Sequence, residues 1–108
     1  MAQKEETIIQ NKIRAALSKE GCKVFRCTVG NFFTKYGQEI KIGTVGHSDL
    51  YGTKPGGRSI YVETKTPVGK ASEEQKKFVK AMKNTGAIAG FARSEEEALK
   101  LIFPERYK

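Results

Sequence analysis

Apolar residues recur every three or four positions near the start of the chain; they are Ile9, Ile13, Ala16 and Leu17. This spacing places them on one side of a helix, which we predict from about Gln3 to Glu20. Gly21 follows the last turn and is typical of a helix end. The first predicted element is therefore an amphipathic helix with one inward-facing side.

Two further helices are predicted in the second half of the chain. Ser72 has the character of a helix N-cap, and Gln75, three residues later, completes a capping box. This helix should end near Gly86, since glycine commonly follows a helix C-terminus. The last helix should start at Ser94 and stop near Pro104.

Strand patterns separate these helices. The segment Lys23 to Val29 has apolar residues at both even and odd positions, which predicts a strand buried on both faces. The segments His47 to Thr53 and Ser59 to Thr66 are predicted as the two strands of a hairpin, and Ala87 to Ala92 as a short apolar strand. The segment between Gly30 and Gly43 fits a loop or an irregular hairpin.

The predicted order is helix, three strands, helix, strand, helix, which is an α/β arrangement written αβββαβα. The strand, helix, strand passage near the end predicts one parallel pair with a right-handed crossover. The fold should therefore be a small mixed sheet flanked by helices. A length of 108 residues predicts one domain, spanning residues 1–108.

The hairpin carries the most informative side chains. If its turn is centred on Gly56, opposed residues have numbers that sum to 112, and Asp49 then lies opposite Glu63. Opposed side chains share a sheet face with Cβ atoms about 5 Å apart, and Lys65, two residues after Glu63, points to that face as well. A slip of one residue in the register would move Asp49 to the other face.

Two carboxylates placed in this way repel each other unless a cation lies between them. Two hard oxygen ligands beside an ammonium indicate a Mg²⁺ or Mn²⁺ site suited to phosphate chemistry. The plain alternative for the charged positions of the strand is the solvated face of an antiparallel sheet. The addition of Asp49 to Glu63 and Lys65 favours the metal site.

The overall charge favours a polyanionic partner. Lys and Arg number 20 against 12 Asp and Glu, which gives a formal net charge of +8 and a pI near 9.6. The simplest polyanion is nucleic acid, although a generally basic protein would have the same composition. No apolar run approaches transmembrane length, so we expect no membrane partner.

The cysteines and the N-terminus point to an intracellular setting. The first residues lack the basic start and apolar stretch of a secretion signal, which predicts a cytoplasmic protein. In that compartment Cys22 and Cys27 are expected to be reduced packing residues. Two thiols and the single histidine, His47, do not form a convincing zinc set.

At this point the residues resemble a known family. Asp49 followed by Glu63, Thr64 and Lys65 resembles the signature of the PD-(D/E)XK nuclease superfamily, and the order and spacing of the motifs resemble the stand-alone VRR-NUC nucleases of phages. The similarity extends from the first helix to the strand at Ala87. Ser48 departs from the pattern, because it stands where the superfamily name has a proline that shapes the backbone and does not bind metal.

The resemblance implies a restriction-endonuclease-like core and metal-dependent hydrolysis of DNA phosphodiester bonds. Asp49, Glu63 and the backbone carbonyl of Thr64 would bind Mg²⁺ or Mn²⁺, and Lys65 would orient the attacking water or help to deprotonate it. The family also implies a homodimer acting on branched DNA such as four-way (Holliday) junctions. If a phage encodes the chain, the setting would be the host cytoplasm.

Three residues have two interpretations each. Gln75 is either a helix-capping residue or a residue that lines the active site, and the two roles are compatible. Glu6 either interacts favourably with the dipole of the first helix or is a further metal ligand, as the resemblance suggests. His47 is either a local hydrogen-bonding residue or a direct participant in catalysis.

Several basic residues are candidate DNA contacts: Lys35, Lys41, Lys54, Arg58, Lys70 and Lys76. Of these, we expect Lys54, Arg58 and Lys70 to flank the carboxylates. Phe32, Phe33 and Tyr36 would stack on bases or, more simply, pack in the core or at a dimer contact. Alternative functions are a flap, nicking or mismatch nuclease of the same fold, and a non-catalytic basic DNA-binding module.

Overall fold

The computed structural model describes residues 5–27, 30–33, 35–42 and 47–107. Within these residues the helices are α1 (Glu5–Lys19), α2 (Glu73–Asn84) and α3 (Glu95–Ile102), followed by a 3-10 turn (Pro104–Tyr107). The strands are β1 (Lys23–Arg26), β2 (Gly30–Phe33), β3 (Glu39–Ile42), β4 (Leu50–Thr53), β5 (Ser59–Thr64) and β6 (Ile88–Ala92). None of the described helices is long and apolar enough to cross a membrane.

The main sheet has the order β1-β4-β5-β6. β4 pairs antiparallel with both β1 and β5, whereas β5 pairs parallel with β6. The α/β fold and the parallel pair at the end of the chain are therefore confirmed. β2 and β3, which follow β1 and precede β4 in the sequence, pair only with each other within the described residues and form a separate two-stranded ribbon. The strands within the segment predicted as a loop or an irregular hairpin are therefore paired in regular antiparallel register.

The prediction for the first strand is wrong in one respect. β1 is an edge strand, and of its residues Lys23, Phe25 and Arg26 are exposed while Val24 is half-buried. A strand with a neighbour on one side only, and a helix packed over one face, cannot be buried all round. The end of the predicted strand, residues 28 and 29, lies outside the described residues.

The hydrophobic core lies between the sheet and the helices α1 and α3. Leu50, Ile60 and Val62 point into it from the even-numbered positions of the central strands. From the helices come Ile13, Leu17, Ala98 and Ile102. Each large apolar side chain among these contributes about 1.5–3 kcal/mol by leaving water. Because strand side chains alternate, the odd-numbered residues point to the opposite face, where α2 packs on β5 and β6.

The register of the hairpin is the predicted one. Leu50 pairs with Val62 and Thr53 pairs with Ser59, so opposed residue numbers sum to 112. The turn contains two glycines with positive φ, Gly56 at 100° and Gly57 at 93°, a conformation that other residues rarely adopt. Continuing this register by one residue beyond β4 places Asp49 opposite Glu63.

The helix boundaries follow the capping signals in the sequence. Ser72 caps α2 with the predicted capping box, and the chain leaves α2 through Gly86, whose φ is 95°. Ser94 accepts the N–H of Glu97 at the start of α3. These caps fix where β6 begins and ends, and they hold α2 beside the odd-numbered face.

Candidate active site

Asp49 and Glu63 meet at the end of the hairpin strands away from the turn. Asp49 directly precedes β4, and its Oδ2 accepts the backbone N–H of Thr64 at 3.0 Å. Its carboxyl is the neighbour of the Glu63 carboxyl, and it acts on the pKa of that group. Glu63 is only 2% exposed, whereas Asp49 is half-buried. We call Asp49 and Glu63 the acid pair.

Burial is the main reason why the pKa of Glu63 is raised, from 4.5 to about 9. The adjacent Asp49 carboxyl raises this pKa further, and the charge of Glu6 adds to the effect, whereas Lys65 lowers it. Two adjacent carboxyls outside bulk water hold a proton between them, because both cannot easily be charged. Without a cation, the acid pair is therefore protonated once at neutral pH.

Lys65 is the cation that the sequence placed beside the acid pair, and the structure buries it there. The residue is 9% exposed, and its positive charge acts on Glu63. The backbone N–H of Lys65 donates to the carbonyl of Ala92 at 3.0 Å, which extends the pairing of β5 with β6. The backbone that carries the ammonium is thus fixed by the sheet.

Gln75 completes the predicted capping box and also contacts Glu63. Its Oε1 accepts the backbone N–H of Ser72 at 2.9 Å and its own backbone N–H donates to the Ser72 hydroxyl, which completes the capping box. Its Nε2 donates to Oε1 of Glu63 at 3.0 Å. One side chain therefore fixes the start of α2 and orients a carboxylate of the acid pair.

Comparison with known proteins gives the family and the fold. Residues 3–96 match the model of the VRR-NUC domain family. The chain belongs to the VRR-NUC family. A solved structure described as a VRR_NUC domain superposes with a TM-score of 0.69 at 21% sequence identity, and the match covers 98% of this chain and 100% of that one. A search of curated protein sequences gave no match.

Membership of the VRR-NUC family makes the chain a nuclease with a restriction-endonuclease-like fold, acting on DNA. The solved structure supports the fold alone, since its sequence identity is low. The residues that match the family model include Asp49, Glu63, Lys65 and the start of α2.

The oxygen atoms around the acid pair suit a hard divalent cation. Oε2 of Glu63 is buried and has no hydrogen-bond partner, which leaves one carboxylate oxygen available to a ligand. The N–H of Thr64 points to Asp49, and the carbonyl of a strand residue points to the same side as its N–H. Among the described residues, no group of three or more His, Cys, Asp or Glu side chains is arranged to hold a metal ion.

Glu6 lies in the first turn of α1 and is exposed. Its charge reaches Glu63 and raises the pKa of that carboxyl, although it is the smallest of the contributions. Glu6 is therefore near the acid pair without being part of a three-carboxylate cluster. Its role as a further metal ligand stays a prediction.

His47 belongs to an aromatic cluster. Its Nδ1 donates to the carbonyl of Ser48 at 2.8 Å, and its ring packs on Phe78 at 4.5 Å and edge-on against Tyr51 and Tyr61. These contacts favour the local, structural interpretation of His47. The buried hydroxyl of Ser48 donates to the carbonyl of Leu50 at 2.8 Å, so this residue shapes the entry to β4 without proline.

The structure also brings Cys27, which the sequence predicted only as a packing residue, to the acid pair. Cys27 lies opposite Asp49, and its N–H donates to the Asp49 carbonyl at 2.8 Å. Burial raises the pKa of its thiol, and the charges of Asp49 and Glu63 raise it further. Paired residues of β1 and β4 have numbers that sum to 76, which places Cys27 opposite Asp49. The sequence does not show that β1 and β4 are paired, so it could not reveal this position of Cys27.

Arg93 is a residue that the sequence analysis missed. Its Nη1 donates to the carbonyls of Thr66 and, at 2.9 Å, Gly69. The segment that it holds leads from Lys65 to the start of α2, and therefore to Gln75. An arginine just after an apolar strand carries no sequence signal for this role, because its partners are backbone carbonyls more than 20 residues away.

The expectation that Lys54 and Arg58 flank the acid pair is wrong. Both lie at the turn of the hairpin, and the four steps along the strand from Ser59 to Glu63 span about 13 Å. Lys54 Nζ donates to the carbonyl of Ile102 at 2.8 Å, and Arg58 Nε donates to the carbonyl of Gly86 at 2.9 Å. Lys54 thus satisfies the last carbonyl of α3 and Arg58 a carbonyl just after α2, and positive charge is favourable near a helix C-terminus.

Three of the other basic candidates, Lys35, Lys70 and Lys76, are exposed. Lys70 is exposed in the segment between Lys65 and α2. Lys76 is exposed on α2, 3.4 Å from a carboxylate oxygen of Glu73. Lys35 lies over the ring of Tyr36 in the turn of the ribbon, at 5.2 Å from its centroid. Lys41 is in β3, and Phe32 and Phe33 are in β2.

The two roles of Gln75 can be separated by a pair of variants. Gln75→Ala should lose about 1 kcal/mol of helix capping and also lower DNA cleavage about 10- to 100-fold, the usual effect of removing a group that orients a metal ligand. Ser72→Ala should lose similar stability and leave cleavage unchanged, because Gln75 can still contact Glu63. Thermal unfolding and cleavage rates measure the two effects. Equal loss of cleavage in both variants would show that Gln75 acts only through the helix.

Proposed function

We propose that the chain is a Mg²⁺- or Mn²⁺-dependent endodeoxyribonuclease that hydrolyses phosphodiester bonds in branched DNA. The observation that carries this proposal is the buried acid pair with Lys65 beside it. Burial of two adjacent carboxyls and an ammonium is costly for stability. Binding of a cation by the acid pair during catalysis would explain why the fold keeps these groups buried despite the cost.

The ligands in this proposal are the carboxylates of Asp49 and Glu63 and the backbone carbonyl of Thr64, with Glu6 as an additional candidate. The free Oε2 of Glu63 supports the assignment. A divalent cation held there would make bound water more acidic and stabilise negative charge on the phosphate. Binding would also have to remove the proton that the acid pair shares, because charged carboxylates are the ligands.

The other residues of the site would orient the attacking water and hold the two carboxylates in place. The Lys65 ammonium, held by β5, would orient the attacking water and offset negative charge on the phosphate as the bond breaks. Gln75 would keep the Glu63 carboxylate in one orientation through its 3.0 Å hydrogen bond. Thr64 would do the same for Asp49 through its N–H. Asp49, Glu63, Lys65 and Gln75 are thus the proposed catalytic set.

DNA binding is proposed to use the excess of positive charge. Lys70 and Lys76 lie on the segments that follow Lys65, and Lys35 and Lys41 belong to the ribbon, so these four are the proposed phosphate contacts. Lys54 and Arg58 were expected to join them. Their bonds to helix carbonyls support a structural role in preference to DNA contact.

We further propose that residues 1–108 form one nuclease domain that acts as a homodimer on four-way junctions. Resolving such a junction needs two symmetric cuts, and a two-fold dimer presents two identical sites. The acid pair of one chain would then cut one strand. A flap, nicking or mismatch nuclease would cut asymmetrically and would not need two sites.

The test uses end-labelled duplex, flap, Y-form and four-way junction DNAs, each with and without Mg²⁺ and Mn²⁺. We expect metal-dependent, paired symmetric nicks in the junction. Asp49→Asn should lower cleavage on the order of 10³-fold or more and keep DNA binding, because an amide oxygen can still accept the Thr64 N–H. Glu96→Gln, which removes the same charge from an exposed site on α3, is the matched control and should cleave normally.

The outcomes separate the competing functions. Single nicks in flaps or at mismatches, with no cleavage of the junction, would favour the alternative nucleases. A wild-type protein that binds these DNAs but cleaves none of them with either metal would contradict the proposal and favour a non-catalytic DNA-binding module.

A further inference from the structure

The odd-numbered face of the sheet has a half that α2 does not cover. α2 packs on β5 and β6, whereas the same face of β1 and β4 presents Phe25 and Tyr51. These two residues are directly opposed in the β1–β4 register. Phe25 is 53% exposed and Tyr51 is 38% exposed. We call Phe25 and Tyr51 the aromatic pair.

The aromatic pair is held in place. The two ring centroids are 5.7 Å apart with an interplanar angle of 34°, so the rings lie side by side and not face to face. The His47 ring packs edge-on against Tyr51 at 5.6 Å and is itself fixed between Tyr61 and Phe78. A rigid ring loses little conformational freedom when it binds a ligand, which favours tight contact.

The aromatic pair is next to the acid pair. Asp49 and Tyr51 are two residues apart on the same face, a distance of about 7 Å along the strand. Stacked bases in DNA follow each other at about 3.4 Å. A base within two steps of a phosphate at the acid pair could therefore reach the exposed rings.

Charge favours nucleic acid over a second copy of the chain as the occupant. Lys23, an exposed cation in β1, lies two residues before Phe25 and so shares its face of the sheet. Two copies that met at this surface through a two-fold axis would bring the Lys23 side chains of both together, and like charges oppose such a contact. A nucleotide offers an aromatic face for the rings and a phosphate for Lys23.

We propose that the aromatic pair is a stacking platform for an unpaired nucleobase beside the phosphate at the acid pair. The proposal rests on the nuclease function proposed above and deepens it. A base in intact duplex is covered on both faces by its neighbours, whereas a nucleotide at a branch, flap or open end exposes a face. The platform would therefore select DNA with an unpaired nucleotide next to the cleavage site.

The test is a Y-form DNA with the fluorescent base 2-aminopurine at the first unpaired position, mixed with the protein in EDTA so that nothing is cut. Wild type should quench the probe, because stacking on an aromatic ring reduces its fluorescence. Phe25→Leu/Tyr51→Leu should lose the quenching and bind the Y-form about 10- to 100-fold more weakly, as for the loss of base stacking. Binding to intact duplex should be unchanged.

Three further variants serve as controls for this test. Tyr107→Leu removes a similarly exposed ring, 44% exposed, on the 3-10 turn and should behave as wild type. If the double variant does not fold, Tyr51→Phe, which keeps the ring, should retain quenching, and Phe25→Leu alone should weaken it.

Three outcomes would overturn the platform: full quenching by the folded double variant, equal loss of Y-form and duplex binding, or a dimer that becomes monomeric while DNA binding persists. The last result would place the aromatic pair at a contact between two copies of the chain. Failure of the nuclease function is a different result, since wild type would then quench the probe in EDTA but cleave no DNA with Mg²⁺ or Mn²⁺.

Discussion

Replacing Glu63 by glutamine is expected to abolish DNA cleavage and to stabilise the metal-free protein at the same time. The substitution removes a negative ligand from the acid pair, which should lower cleavage on the order of 10³-fold or more. It also imitates the protonated carboxyl that the fold prefers, since burial raises the pKa of Glu63 to about 9. Wild type must take up a proton to fold at pH 7, and the glutamine variant need not.

The gain in stability should be about 3 kcal/mol at pH 7, because one pKa unit corresponds to about 1.4 kcal/mol. The hydrogen-bond pattern allows it, since the oxygen of the introduced amide could accept from Gln75 and its nitrogen could donate to Asp49. Urea unfolding in EDTA measures the stability, and a junction cleavage assay measures the activity. Glu96→Gln is the control for the change in charge and should alter neither property.

A variant that loses both stability and activity would contradict this account. Such a result would mean that the Glu63 carboxylate is charged and well paired in the metal-free fold. Wild type with Mg²⁺ should be stabilised by mass action, whereas Glu63→Gln should show little response to the ion.

The acid pair could be predicted from the sequence because its geometry is local. A glycine turn and two short alternating strands fix the register of a hairpin, and the register fixes which residues share a face. The capping box at Ser72 is equally local, since its partners are three residues apart. Both predictions needed only the chain between residues 47 and 75.

The features that were wrong or missed depend on distant partners. The exposure of β1 follows from its place at the edge of the sheet, and no residue within β1 determines that place. Lys54 and Arg58 were assigned to DNA on their charge and on an expected position beside the acid pair, but their partners are the carbonyls of Ile102, at the end of α3, and of Gly86, just after α2. A cation that satisfies a helix end and one that contacts phosphate have the same sequence signal, so only the tertiary structure distinguishes them.

The stability of the metal-free protein should fall as the pH rises from about 4.5 to about 9. In this window native Glu63 keeps a proton that the unfolded chain releases, because its pKa is 4.5 when unfolded and about 9 when folded. The native state therefore binds more protons than the unfolded state, and each rise of one pH unit costs about 1.4 kcal/mol. Below pH 4.5 this contribution is fully present, and above pH 9 it is lost.

Urea unfolding in EDTA at several pH values between about 5 and about 9 measures this dependence, and Glu63→Gln provides the reference. The variant keeps the other titrating groups, so the difference between the two proteins isolates Glu63 and should widen with pH in favour of the variant. Parallel stability curves would contradict the raised pKa. Added Mg²⁺ should increase the stability of wild type most at the highest pH values, because an ion that replaces the shared proton binds better when fewer protons compete with it.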